Sequence, residues 1–281
     1  MKNLKLSIVG LVAVAAMVPG VAQAGRGGSP QAIQQAIAAN SVDAIQAELE
    51  RAEHLVCAAC VDLVMPLVDH PDDRVRKVAA WWLARRAVGS QVQVAMLNRL
   101  SQSDSTAARN AADVLGELHN PASVPALGAA LSNPIFSGEA RAAMAQALGT
   151  IARPACAAQL TAVLADPEPK VRAAALVALR GVPGFRDGSG AAGLVADADP
   201  TVRAEAAVTV GTFRYTAGAA ALVAALGDPS ADVRKKAAWA LGEIHAPGSV
   251  AGAALSNAAT HDSSAAVRSL AHVAVTKLAA N

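Results

Sequence analysis

The chain has 281 residues, a formal net charge of +2 at pH 7 and 53% hydrophobic residues, of which few are aromatic. Alanine alone accounts for 71 residues, so methyl groups make up much of the apolar fraction. A charge near zero argues against a nucleic-acid binder with a basic face, and the 3 cysteines are too few for a dense disulfide scaffold. The composition favours many short, closely packed helices separated by turns.

The chain begins with a pattern typical of a secretory signal peptide. Lys2 and Lys5 precede an apolar run over residues 6–18, and an Ala-x-Ala site ends at Ala24. The run is shorter than the ~20 residues that a membrane-spanning helix needs. We therefore expect residues 1–24 to be removed after Ala24. The mature protein is expected to be exported, periplasmic or secreted, with no stable membrane insertion after cleavage.

A repeat of 31 to 34 residues fills most of the remaining chain. Segments that start with Val-Arg or a related pair can be set in register, and their second positions fall at residues 76, 108, 141, 172, 203, 234 and 268. Each repeat is typical of two helices, and in four repeats a turn containing Asp-Pro or His-Pro comes before the second helix. The second helix is expected to close on glycine in four repeats, at Gly116, Gly149, Gly211 and Gly242. Pro30 and Ser41 are start signals for two capping helices before the repeats.

The pattern from Asp228 to Ile244 resembles the HEAT-like repeats of the phycobilisome-lyase type. The resemblance covers roughly residues 55–279, and it implies an all-α, right-handed α-solenoid of about seven helix pairs. The expected domain organisation is a signal peptide over 1–24, a tail with capping helices over 25–54, and the solenoid over 55–281.

In HEAT-like repeats, the arginines of the Val-Arg pairs form a ladder with aspartates of the turns between repeats. The resemblance implies such a structural ladder for Arg76, Arg141, Arg172, Arg203, Arg234 and Arg268. Candidate partners are Asp166, Asp197, Asp228 and Asp262. A structural role is favoured over a binding role for these arginines. Ala108 interrupts the ladder, and the stack is expected to be weakest there.

A helical wheel places another set of residues opposite the core, on the expected concave face. Trp81 and Trp239 share one position, five residues after the ladder arginine. Their charged neighbours on this face are Lys77, Arg85, Lys235, Lys236 and Glu243. Tryptophan beside lysine or arginine is typical of an interface anchor, so this face is predicted to bind a protein or peptide. The alternative is that neighbouring second helices bury both rings.

Cys57 and Cys60 are the sharpest chemical signal in the sequence. Cysteines three residues apart near a helix start can form a disulfide, and the positive helix end favours a thiolate. Thiol–disulfide exchange is one interpretation; a structural disulfide or two buried small side chains is the other. No βαβ pattern surrounds the motif, and Val61 stands where covalent haem attachment needs a histidine.

The histidines indicate no metal site. His119 and His245 take equivalent places at the ends of two helices, where a histidine meets the helix C-terminal dipole. HEAT-repeat proteins include an iron-dependent hydroxylase family with paired His-Glu motifs, and no His-Glu dipeptide occurs in this chain. We therefore predict no metal and no cofactor.

The sequence predicts a non-catalytic HEAT-repeat scaffold or adaptor that binds a protein or peptide of the cell envelope, and no nucleic acid. The alternative is a thiol-redox, cofactor-binding, lyase-like or oxidoreductase HEAT-repeat protein that uses Cys57 and Cys60. Thiol titration with and without reductant distinguishes the two.

Overall fold

Alanine-rich segments between capping residues and prolines form sixteen α-helices in the computed structural model, which describes residues 28–245 and 249–279. No β-strand occurs within these ranges, and the predicted all-α class is confirmed. The predicted signal peptide, residues 1–24, lies outside the described residues. In chain order the helices are α1 (Pro30–Ala38), α2 (Val42–Arg51), α3 (Ala58–Val64), α4 (Asp73–Ala84), α5 (Gly89–Leu100), α6 (Ser105–Glu117), α7 (Val124–Leu131), α8 (Gly138–Ile151), α9 (Cys156–Ala162), α10 (Pro169–Gly181), α11 (Ser189–Leu194), α12 (Pro200–Phe213), α13 (Ala219–Ala225), α14 (Ala231–Glu243), α15 (Ser249–His261) and α16 (Ala265–Ala279).

Side-chain caps explain where several helices begin. The Ser29 hydroxyl accepts a hydrogen bond from the backbone N–H of Ala32 at 3.1 Å, so that Pro30 occupies the first turn of α1. The Ser41 hydroxyl caps α2 in the same way. At α12, the Asp199 carboxylate accepts from two backbone N–H groups, at 2.8 and 3.1 Å. These caps satisfy N–H groups that have no partner within the helix.

The helices stack as a two-layer solenoid. From α4 to α16, each even-numbered helix packs against the next even-numbered helix and also against the odd-numbered helix that precedes it. Helix α2 packs on α4, and α1 packs on α2, so the first two helices extend the stack at its N-terminal end. Each repeat therefore contacts mainly its neighbours, and the α-solenoid architecture is confirmed.

Glycine allows the even-numbered helices to approach closely. A Cβ atom on Gly149 would lie 2.8 Å from the Cα atom of Ala178 in α10. A Cβ atom on Gly116 would lie 3.1 Å from the Cα atom of Ala147. The expectation that helices close on these glycines is wrong, because α8 continues to Ile151. The glycines lie inside the last turn, where a side chain would collide with the next helix.

Four of the even-numbered helices, α6, α8, α12 and α14, are followed instead by a residue in the left-handed conformation. His119, Ala152, Arg214 and His245 have φ values of 50°, 51°, 52° and 48°. Left-handed backbone costs about 1–2 kcal/mol for a residue with a side chain, and it reverses the chain direction sharply. The two histidines that the sequence placed at helix ends therefore lie just after α6 and α14, at the point where the chain turns away.

Four arginines of the predicted ladder tie each repeat to the next. The ion pairs are Arg141–Asp166, Arg172–Asp197, Arg203–Asp228 and Arg234–Asp262. Arg172 also donates from Nη1 to the carbonyl oxygens of Asp166 and Pro167, at 2.7 and 3.1 Å. The carboxylates are no more than 8% exposed, so salt screens these pairs less than surface pairs.

Arg76 and Arg268 depart from the predicted ladder. The Arg76 side chain pairs with Asp113 inside α6, at 2.9 Å from Nε, and not with an aspartate of the next turn. The reason is that Gln102 stands where the other turns carry the ladder aspartate. Arg268 donates to the backbone carbonyls of Asp262 and Ser263, and it forms no ion pair with a carboxylate in the described part of the chain.

Candidate redox site

Cys57 and Cys60 are joined by a disulfide with an S–S distance of 2.08 Å. Cys57 precedes the first residue of α3 and is half-buried, whereas Cys60 lies inside the helix and is 0% exposed. The backbone N–H of Cys60 donates to the Sγ atom of Cys57 at 3.1 Å. The two cysteines therefore differ in exposure: solvent reaches Cys57, and the fold encloses Cys60.

The end of α4 holds the segment that leads into Cys57. Nη2 of Arg86 donates to the backbone carbonyls of Ala52, Glu53 and Leu55, at 3.2, 3.1 and 3.3 Å. The indole N–H of Trp82 also donates to the Ala52 carbonyl, at 3.1 Å. The guanidinium of Arg86 lies 3.2 Å from the centroid of the Trp82 ring, and burial lowers its pKa. One cation thus holds three carbonyl groups of the turn before the disulfide.

An open groove of about 670 Å³ lies beside the disulfide, between residues 53–61 on one side and 85–88 on the other. Its lining includes Val56, which is 100% exposed, and the half-buried Leu55 and Val88. At the rim, Nε of Arg85 lies 3.4 Å from the Glu53 carboxylate. The groove is therefore mainly apolar, with charged groups at its edge.

The residues predicted to bind a protein or peptide lie in distant parts of the stack. Trp81 and Trp239 are both half-buried and lie on α4 and α14, which α6, α8, α10 and α12 separate in the stack. The guanidinium of Arg85 lies 4.3 Å from the centroid of the Trp81 ring. The Trp239 ring covers Gly211, and a Cβ atom on that glycine would lie 2.7 Å from the ring. The structure therefore does not bring the two tryptophans into one site.

The charged residues of that face are engaged within the chain. Their ion pairs are Lys77–Asp73, Arg85–Glu53, Lys235–Asp232, Lys236–Glu205 and Glu243–Lys277. Arg85 is the member of this set that also lines the groove beside the disulfide. Of the residues predicted for the concave face, Arg85 therefore lies at the candidate redox site.

Sequence reasoning missed Val56, Trp82 and Arg86. The sequence could have indicated a role for Trp82, because the indole N–H of a buried tryptophan usually donates a hydrogen bond. Nothing local to Arg86 indicates that it binds carbonyl groups 31 to 34 residues earlier in the chain.

A family model of HEAT repeats matches residues 94–180 and 191–275, more than half of the chain. The chain belongs to the HEAT-repeat family. Two solved structures support the fold over most of its length. The E. coli protein YibA aligns with a TM-score of 0.55 at 18% identity, covering 90% of this chain and 91% of that one. An engineered protein aligns with a TM-score of 0.54 at 19% identity, covering 91% and 82%.

Deoxyhypusine hydroxylases are curated relatives of this HEAT-repeat chain. The Bos taurus enzyme is 36% identical over 139 residues, which cover 50% of this chain and 44% of the relative. The Homo sapiens enzyme is 36% identical over 113 residues, covering 40% and 37%. The chain therefore spans less than half the length of these relatives. Because they are enzymes, they contradict the prediction of a non-catalytic scaffold or adaptor.

The donor set of the described residues does not fit an iron centre. Across residues 28–245 and 249–279, no three His, Cys, Asp or Glu side chains come together in a way that could hold a metal ion. His119, for example, places its ring Nδ1 2.8 Å from the backbone carbonyl of Glu117 at a helix end. We therefore derive no chemical step through iron.

None of the helices in the described ranges is both long enough and apolar enough to cross a lipid bilayer.

Proposed function

We propose that this HEAT-repeat protein is an oxidoreductase that exchanges disulfides through Cys57 and Cys60. The observation that carries the proposal is the unequal exposure of the two bonded cysteines beside an open groove. A structural disulfide needs no such opening. The relatives support enzymatic activity in general, and they are named for a hydroxylation, which is an oxidation.

The first step is attack by a substrate thiolate on Sγ of Cys57. The bond between Cys57 and Cys60 breaks, a mixed disulfide forms between the substrate and Cys57, and Sγ of Cys60 leaves with the electron pair and takes up a proton. A second substrate thiolate then attacks the substrate sulfur of the mixed disulfide and releases Cys57. The substrate dithiol is thereby oxidised to a disulfide, and the Cys57–Cys60 disulfide is reduced to two thiols.

The chain assists the release of Cys57. The Cys60 backbone N–H, 3.1 Å from Sγ of Cys57, donates to the sulfur that becomes negative in the second step. This hydrogen bond stabilises the thiolate that leaves, and a more stable thiolate leaves faster. The chain therefore favours oxidation of a substrate dithiol. The export predicted from residues 1–24 fits this direction, because disulfides persist in oxidising compartments.

Thiol labelling tests this proposal. After reduction, we expect Cys60→Ala to react quickly with 5,5′-dithiobis(2-nitrobenzoate) and to keep a stable mixed disulfide on Cys57. We expect Cys57→Ala to react at least about tenfold more slowly, because Cys60 is enclosed. The reduced wild-type protein resolves the mixed disulfide, so mass spectrometry should detect no lasting adduct.

Cys156→Ser provides the matched control. Cys156 is a buried free thiol whose pKa is raised by burial, and the variant should behave as the wild type. If the Cys57–Cys60 bond resists dithiothreitol until denaturant is added, or if the two single variants react at equal rates, the disulfide is structural and the proposal is wrong.

A hydroxylation like that of the relatives is the second candidate, and the 36% identity favours it. Metal analysis of the purified full-length protein separates the candidates. Stoichiometric iron that survives replacement of both Cys57 and Cys60 would favour hydroxylation over disulfide exchange.

A further inference from the structure

We infer that the groove beside Cys57 binds an extended segment of an unfolded polypeptide, in which the reacting cysteine has an apolar residue on one side and a carboxylate on the other. This inference rests on the proposed disulfide exchange and specifies its substrate. Four features of the groove support it: a fully exposed apolar side chain, an apolar lining, an excess of positive charge, and the position of Cys57 in the groove wall.

Val56 supplies the apolar contact. Its side chain is 100% exposed although it directly precedes the accessible cysteine. Leu55, Val61 and Val88 line the same groove and are half-buried. Contact with an apolar substrate side chain would remove this surface from water, which stabilises the complex in proportion to the apolar area buried. Small polar thiols cannot make this contact.

The positive charge of the groove favours a substrate that carries a carboxylate next to its cysteine. The groove is lined by two guanidinium groups, Arg85 and Arg86, and by one carboxylate, Glu53, so positive charge is in excess. Arg86 is held by backbone carbonyls, whereas the Arg85 side chain is 45% exposed and within reach of a ligand. A substrate carboxylate near Arg85 complements this charge, and a substrate lysine there would be repelled.

The position of Cys57 in the groove favours a substrate in an extended conformation. Cys57 lies in the wall of the groove, between Val56 and the exposed Ala58. A volume of about 670 Å³ accommodates several side chains and not a folded domain. A cysteine in an unfolded segment can enter the groove with its neighbours, whereas a cysteine in a folded core cannot.

Rates of exchange with the oxidised full-length protein test the inference. The probes are a hexapeptide with cysteine between leucine and glutamate, a hexapeptide with cysteine between serine and lysine, and 2-mercaptoethanol. Each rate is divided by the rate of the same thiol with a small reference disulfide, which removes differences in thiol pKa. We expect the leucine–glutamate peptide to react about tenfold faster than either other thiol.

Two variants test which residues of the groove cause the preference for the leucine–glutamate peptide. Val56→Ser should lower the preference about fivefold, by loss of apolar contact. Arg85→Gln should lower the preference for the leucine–glutamate peptide over the serine–lysine peptide, by loss of the positive charge at the rim of the groove. Val94→Ser is the matched control, because Val94 is also exposed, at 59%, and lies on α5 outside the groove.

The outcomes separate the inference from the proposed function. If all three thiols react at equal normalised rates, or if Val56→Ser and Val94→Ser behave alike, the substrate inference is wrong and disulfide exchange stands. If no thiol reacts with the native protein, disulfide exchange itself is wrong.

Discussion

The Arg76–Asp113 pair shows how a single residue alters the ladder. Both side chains are almost fully enclosed, at 3% and 6% exposure. Nη1 of Arg76 also donates to the carbonyl oxygens of His70 and Pro71. A buried guanidinium with these partners depends on its carboxylate, because an unpaired buried charge is costly.

We predict that Asp113→Ala lowers the free energy of unfolding by about 3–5 kcal/mol, since it leaves Arg76 buried without a carboxylate. Glu139→Ala is the control, because the Lys170–Glu139 pair is 66% and 64% exposed. That change should leave stability almost unchanged, because both partners of the pair are exposed to solvent. Urea unfolding followed by circular dichroism measures both. Equal losses for the two variants would contradict the assigned role of Asp113.

At the scale of the helix, small residues set the distance between neighbouring repeats. Gly149 in α8 and Ala178 in α10 are in contact at the level of the backbone. This contact explains why the chain tolerates glycine near the end of a helix, where it costs helix propensity. It also accounts for the alanine excess, because larger side chains would separate the even-numbered helices.

We therefore predict that Gly149→Ala lowers stability by about 1–3 kcal/mol, because its Cβ would lie 2.8 Å from the Cα of Ala178. Gly252 in α15 provides the contrast, since a Cβ there would meet nothing within 4 Å. Gly252→Ala should raise stability by about 1 kcal/mol through helix propensity. Thermal melts compare the two, and a gain in stability for Gly149→Ala would rule out close packing at this position.

At the scale of the whole molecule, the ladder makes stability depend on pH. Hydrogen bonds from Arg203 and Arg234 hold the pKa values of Asp228 and Asp262 below the usual range of aspartate. The folded state therefore binds these protons less readily than the unfolded chain. The stabilisation is present at neutral pH and is lost as the pH falls below about 4, towards the lowered pKa values.

We expect urea midpoints to be constant between pH 7 and 5 and to fall steeply below about pH 4. Arg203→Gln should lower the midpoint at pH 7 and also flatten the drop in acid, because Asp228 then loses the hydrogen bonds that lower its pKa. An unchanged acid slope in this variant would show that other carboxylates dominate acid unfolding.

The all-α solenoid was predictable from the sequence because each repeat encodes it locally. The spacing of 31 to 34 residues and the alanine-rich faces recur along the chain, four units also carry a turn proline, and a solenoid needs mainly contacts between neighbours. The spacing of Cys57 and Cys60 likewise allowed a disulfide, although it left a bond and two free thiols as alternatives. The export signal over residues 1–24 stays a prediction.

Only the tertiary structure decided which residues surround the Cys57–Cys60 disulfide. Arg86 reaches carbonyl groups more than thirty residues earlier, and it forms one wall of a groove whose other wall contains Val56. The pairing of Arg76 with Asp113, 37 residues along the chain, was equally out of reach. Such contacts depend on how one repeat packs on the next. The periodic pattern of a single repeat therefore does not predict which residue of another repeat a given side chain will contact.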